Sequence, residues 1–205
     1  MEKVNVIRVR KKRLSTQSVV KVGLLSAVAF LLMFIEMPIP GLFPDFLKID
    51  ISDIPALIAG LALGPVAGIC VEVVKNFLHT IVATTTGGVG ELANIIVGSA
   101  FVVSTSFVYR RKMNMKNLVI GFVCGTISIV VVGSIVNYFI MLPFYGQLMG
   151  MDAIIGLGKA VNPKVHDLFT FVIWFIAPFN FIKGIMISLL SIPLYKKLEK
   201  IIKNQ

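Results

Sequence analysis

Between residues 71 and 98 an otherwise apolar sequence carries Glu72, Lys75, Asn76, His79, Glu91 and Asn94. On a helix the first four fall at i, i+3, i+4 and i+7, which is one face. Glu91 and Asn94 are three apart and share a face of the next helix. A charged side chain at mid-bilayer costs about 2.5–3.5 kcal/mol on insertion scales, so such residues face a bundle interior or a wet cavity. Residues 84–90 (TTTGGVG) join the two faces. Irregular backbone at membrane depth survives only where protein buries it or water reaches it. The pattern predicts the wall of a polar-ligand site. Taken alone, Glu72 and Lys75 also suit a structural ion pair at i, i+3, with His79 near the interface.

The elements that must position these groups follow from composition. Of 205 residues, 57% are hydrophobic, more than a soluble domain carries. Several long runs lack regular polar faces, so the class is an all-α integral membrane protein. The net charge of +10 raises nucleic acid as a partner, but its distribution argues against that. Most Lys and Arg fall in three clusters, at 3–21, 110–116 and 196–203, each flanking an apolar run. This is the pattern of cytoplasmic segments, and it places the chain in a lipid bilayer. Cys70 and Cys124 sit inside apolar runs without metal-ligand spacing and read as small core residues. Ala27-Val28-Ala29 falls in mid-run, so the first apolar stretch reads as an uncleaved helix.

Residues 1–18 form a basic cytoplasmic tail, 19–195 a membrane domain and 196–205 a second basic tail. Helix 1 is expected over 19–36; Gly23 and Ala27 are small residues four apart, suited to close helix approach. Residues 37–53 hold Pro38, Pro40, Gly41 and Pro44, which end the helix. Their apolar content predicts an outer lid-like loop. Ser52 or Asp53 is expected to cap helix 2, with Pro55 in its first turn. At about ten residues (54–63), helix 2 is too short to span the ~30 Å core. Helices 3 and 4 follow over 66–82 and 91–109. Helix 5 is expected over 118–142, stopped by Pro143, and an outer connection over 146–166. Helix 6 spans 167–195, interrupted at Pro178. Six transmembrane helices in a compact bundle put both termini and all three basic clusters in the cytoplasm. No internal repeat supports an inverted-repeat transporter.

The chemistry of common enzymes is missing. No phosphate loop, H-E-x-x-H, G-x-S-x-G or Cys/His cluster occurs, and two scattered histidines make no metal site. Glu72 and Glu91 could converge as an acid/base pair, but nothing adds a nucleophile, so a membrane enzyme is the weaker reading. What remains is an outer pocket of Lys48, His79, residues 84–90, Glu91, Asn94, Asn137, Asn180 and Lys183. Asparagines offer donors and an acceptor suited to a planar heterocycle with carbonyl and N–H groups. Phe43, Phe46, Tyr138 and Trp174 are candidate ring-packing partners.

The runs KIDISDIPALIAG (48–60), VKNFLHTIV (74–82), GGVGELANIIVG (87–98) and APFNFIKG (177–184) resemble the riboflavin-specific S component of bacterial energy-coupling factor (ECF) vitamin transporters. The resemblance spans about residues 19–195. It implies six helices with cytoplasmic termini and a vitamin site near the outer face, under the loop after helix 1. It implies a binding subunit rather than an enzyme, with no cofactor of its own and riboflavin, or its phosphate FMN, as transported ligand. It also implies partners: a transmembrane coupling subunit and two ABC-type ATPases, in keeping with the missing phosphate loop. By position, Asn137, Asn180 and Lys183 match residues that contact the flavin ring. Leu47 and Lys48, with the GGVGELAN turn (Thr86, Gly88 and Glu91 among its neighbours), match the ribityl side. Gly23-x-x-x-Ala27 stands where family members often carry A-x-x-x-A on the coupling surface. An S component for another vitamin, such as thiamine or folate, would keep the fold and change the pocket.

Overall fold

A computed structural model describes residues 16–44 and 46–203, with side chains through residue 197. The basic stretch 1–15 and residues 204–205, parts of the two expected tails, lie outside the described residues. Among the described residues the chain is helical apart from one hairpin. The helices are α1 (Thr16–Met33), α2 (Asp53–Leu63), α3 (Pro65–Ala83), α4 (Val89–Arg111), α5 (Met115–Val136), α6 (Leu142–Met149), α7 (Met151–Val161), α8 (Leu168–Phe171) and α9 (Ala177–Lys203). Two π-helical turns, Asn137–Met141 and Val172–Ile176, weld α5 to α6 and α8 to α9. Five continuous helical stretches are long and apolar enough to cross a membrane, while α2 has only 11 residues. The chain is therefore an all-α, multi-pass membrane protein.

Small residues set the close approaches. Gly121 and Gly125 of α5 lie against Thr105 of α4, and Gly60 and Gly68 of α2 and α3 lie against Val102. A side chain at any of these would push the helices apart, the usual reason for small residues in membrane bundles. Residues such as Leu57, Val71, Phe101 and Ile129 form the main core, fully buried between α2, α3, α4 and α5.

The loop after α1 is more ordered than a lid-like loop suggested. Strands β1 (Glu36–Pro38) and β2 (Lys48–Asp50) pair antiparallel, with Met37 opposite Ile49. Phe43, Leu47 and Ile49 pack with Leu142, Ile154, Phe171, Phe175 and Phe179 in a second apolar cluster. The hairpin is thereby fastened over one end of α6, α7, α8 and α9.

Three helix-boundary expectations are corrected. Pro143 does not stop the fifth helix. It falls in the first turn of α6, after the π-turn, where a missing N–H is tolerated. Residues 146–166 are not an open connection, because they contain α7. Pro178 does not break the last helix either; it follows the second π-turn and occupies the first turn of α9. The expected cap of α2 is also absent. Ser52 makes no capping bond, because its Oγ donates to Asp50 instead.

Candidate functional site

A cavity of about 660 Å³ opens between the hairpin, α1, α3, α4, the first π-turn with α6, and α9. Of the residues expected to bind ligand, Leu47, Lys48, His79, Thr86, Glu91, Asn94, Asn137, Asn180 and Lys183 line it. Gly88 does not. It is the residue preceding α4, in the left-handed region at φ 93°, and it packs on Thr80 behind the wall. Of the four aromatic candidates only Phe46 lines the cavity. Phe43 is buried in the second apolar cluster and Tyr138 packs against that cluster. Trp174 faces outward, 41% exposed, with the Lys164 ammonium 4.9 Å from its ring centre. Phe34, Tyr145 and Phe179 supply aromatic surface in their place.

The polar face of α3 divides by depth. Asn76 and His79 reach the cavity. Glu72 and Lys75 do not: both are fully buried, with Lys75 Nζ 2.9 Å from Glu72 Oε2. That ion pair was one of two readings open from the spacing. The pair extends into a wider cluster with α2 and α9. Lys75 Nζ also lies 2.5 Å from Asp53 Oδ1 and donates to Ser52 Oγ at 2.9 Å. Lys183 Nζ sits 3.1 Å from Asp53 Oδ2 and 3.2 Å from Asp50 Oδ2. Removing one member of a buried pair costs about 3–5 kcal/mol, because the other charge is left uncompensated. The signal available in the sequence was the run Asp50-x-Ser52-Asp53 ahead of a short apolar helix. Two buried lysines need carboxylates, and this run provides them.

Where α3 meets α4, His79 Nδ1 lies 2.8 Å from Glu91 Oε1, and the hydroxyls of Thr84 and Thr86 donate to Glu91 Oε2 at 3.1 and 3.2 Å. The Thr84 hydroxyl also accepts from the Gly88 N–H at 3.0 Å, which shapes the Gly-rich turn. Asn94 Nδ2 donates to Asn76 Oδ1 at 3.1 Å, so these two amides orient one another.

Both π-turns lie beside the asparagines expected to bind. Asn137 opens the first turn and donates to the Gly133 carbonyl at 2.8 Å. Asn180 donates to the carbonyl of Ile176, the last residue of the second, at 2.9 Å. Widened turns of this kind recur at functional sites, where they re-aim side chains. Each asparagine keeps its carbonyl oxygen and a second N–H for another partner. The wall thus offers neutral amides, the ammonium groups of Lys48 and Lys183 and the hydroxyl-bonded Glu91 carboxylate, a set suited to a polar, ring-bearing small molecule.

A profile of the family described as "ECF transporter, substrate-specific component" matches residues 17–195. The chain belongs to this family of S components. The riboflavin transporter FmnP of Bacillus subtilis (strain 168) is 38% identical over 196 residues, covering 94% of this chain and 97% of that protein. The riboflavin transporter RibU of Staphylococcus aureus (strain TCH60) is 40% identical over 195 residues, covering 95% of this chain and 94% of that protein. A solved structure described as "Structure and mechanism of the S component of a bacterial ECF transporter" superposes with a TM-score of 0.71 at 36% identity. It covers 91% of this chain and 98% of the solved one. Membership places this S component among transport subunits, not enzymes.

Proposed function

We propose that this S component binds riboflavin in the cavity beneath the β1–β2 hairpin and supplies it for uptake across the cell membrane. The carrying observation is the convergence of Asn94, Asn137, Asn180 and Lys183 on one cavity, in a chain 38–40% identical to two riboflavin transporters. The flavin ring lies against Asn137, Asn180 and Lys183. The ribityl chain lies toward Leu47, Lys48, Thr86 and Glu91, with Gly88 shaping the turn behind them. Each asparagine supplies an N–H and a carbonyl, and Lys183 a charge-assisted donor.

In this reading six helices cross the cell membrane, α2 being the short one. Both termini and the three basic clusters face the cytoplasm, and the hairpin closes the outer face. The ends 1–18 and 196–205 flank the membrane domain on the cytoplasmic side. A separate transmembrane coupling subunit docks on α1 around Gly23 and Ala27, and two ABC-type ATPases energise release. The open face of α1 supports this docking: Gly23 and Ala27 are exposed, and a Cβ on Gly23 would meet nothing within 4 Å.

The test is a visible absorption spectrum of detergent-purified protein from riboflavin-fed cells. Flavin bands retained at one equivalent through gel filtration support the reading. A colourless protein that takes up no added riboflavin rejects it.

A further inference from the structure

Asp53 touches no part of the cavity surface, yet it lies directly behind the group that does. Its side chain is fully buried in the first turn of α2. One carboxylate oxygen, Oδ1, is held by Lys75 at 2.5 Å, on the side of the buried ion pairs. The other, Oδ2, stands 3.1 Å from the Lys183 ammonium, which lines the cavity. Lys75 is committed on three sides: it donates to Ser52 Oγ and Asp53 Oδ1 and is ion-paired with Glu72. Lys183 is not. Its Nζ donates to Asp50 Oδ2 at 3.2 Å and stands in ion-pair contact with Asp53 Oδ2 at 3.1 Å, which leaves an N–H without a partner among the described residues.

A lysine carries its charge on a flexible four-carbon stem, so the aim of the ammonium depends on what holds its end. Asp50 belongs to the surface hairpin, whereas Asp53 is anchored from behind in a helix. Charge also matters. Asp50 and Asp53 already set two carboxylates against the Lys183 ammonium. A further anion drawn to Lys183 would be repelled by both at short range in a low-dielectric site. A neutral acceptor meets no such repulsion.

We propose that Asp53 is a positioning residue for ligand binding: pinned by Lys75, it aims the uncommitted N–H of Lys183 at a neutral carbonyl of the ligand. The proposal rests on the riboflavin reading, in which that carbonyl belongs to the flavin ring.

A double-mutant cycle tests it on the full chain in detergent, stripped of flavin, with riboflavin affinity measured by calorimetry. The four proteins are the wild type, Asp53→Asn, Lys183→Ala and the double variant. Asp53→Asn is expected to weaken binding about ten-fold when Lys183 is present. In the Lys183→Ala background its effect should fall below about two-fold, because Asp53 then has nothing to aim. The absorption band of bound riboflavin should shift with Asp53→Asn and not shift further in the double variant. Equal losses in both backgrounds, with the wild type binding normally, overturn the positioning role and leave the riboflavin reading intact. Wild-type protein that binds no riboflavin overturns both. If Asp53→Asn alone does not fold, Asp53→Asn with Lys75→Gln replaces it in the same cycle. That pair removes one carboxylate and one ammonium together and carries the same expected result.

Discussion

Gly133 of α5 and Asn180 of α9 are in direct contact: a Cβ on Gly133 would fall 2.8 Å from Asn180 Nδ2. The same Gly133 accepts through its carbonyl from Asn137. One small residue therefore leaves room for one cavity asparagine and orients the other. Gly133→Ala should displace the Asn180 amide by a few tenths of an ångström and lower riboflavin affinity by roughly ten-fold, about 1.4 kcal/mol. Calorimetry on folded, monodisperse variant checks it. Unchanged affinity would separate Asn180 from the ligand.

Asn180→Ala and Lys183→Ala should each weaken riboflavin binding ten- to hundred-fold, since an unpaired buried ligand group costs about 1–3 kcal/mol. Lys159→Ala should leave affinity unchanged, because Lys159 is exposed on α7 and off the cavity wall. Lys183→Ala should also lower the thermal unfolding temperature, as it strips Asp50 and Asp53 of a shared counter-charge. Titration and thermal unfolding of the three variants decide between these outcomes.

Replacing both Gly23 and Ala27 with Leu fills the open face of α1. Riboflavin binding should survive while co-purification with the energising subunits is lost. Normal assembly of the double variant would return these residues to ordinary lipid contact.

Orientation can be read by labelling in a background with Cys70 and Cys124 replaced by Ala. A cysteine at Lys112, just beyond α4, should react only from the cytoplasm, and one at Gln147, near the end of α6, only from outside. The reverse pattern would invert the topology.

Asp167 begins the α8–α9 rod at its membrane edge. Its carboxylate accepts from the Thr170 N–H at 2.8 Å, and this bond holds its pKa below the ordinary carboxylate range. A lowered folded value means the cap is fully effective above the unfolded value near 3.9 and is lost as pH falls through the folded one. In an NMR titration the Asp167 midpoint should therefore lie below that of an unstructured aspartate. Thr170→Ala, which removes the hydroxyl partner, should move it upward. A midpoint at the ordinary value would remove the cap from the account of this helix end.

The sequence by itself determined the membrane class, the helical runs and most of the cavity wall. Apolar stretches must satisfy their own backbone groups as helices in lipid, and polar residues placed there against a heavy cost must face one another or a cavity. Hence Asn94, Asn137, Asn180 and Lys183 could be singled out from their surroundings. Helical spacing fixes the face of a residue but neither its depth nor its neighbour. Glu72 and His79 share a face, yet only the packing of α2 and α4 against α3 sends one to a buried ion pair and the other to the cavity. Tertiary structure alone brings Asp50 within 3.2 Å of Lys183 across 133 positions of chain. It also turns Trp174 outward and adds Phe34, Tyr145 and Phe179 to Phe46 in the aromatic wall. Each π-turn ends two residues before a proline, Pro143 or Pro178, which marks the place but not its outcome. A proline can end a helix; here the helices carry on through it, packed against their neighbours, with the π-turn taking up the change.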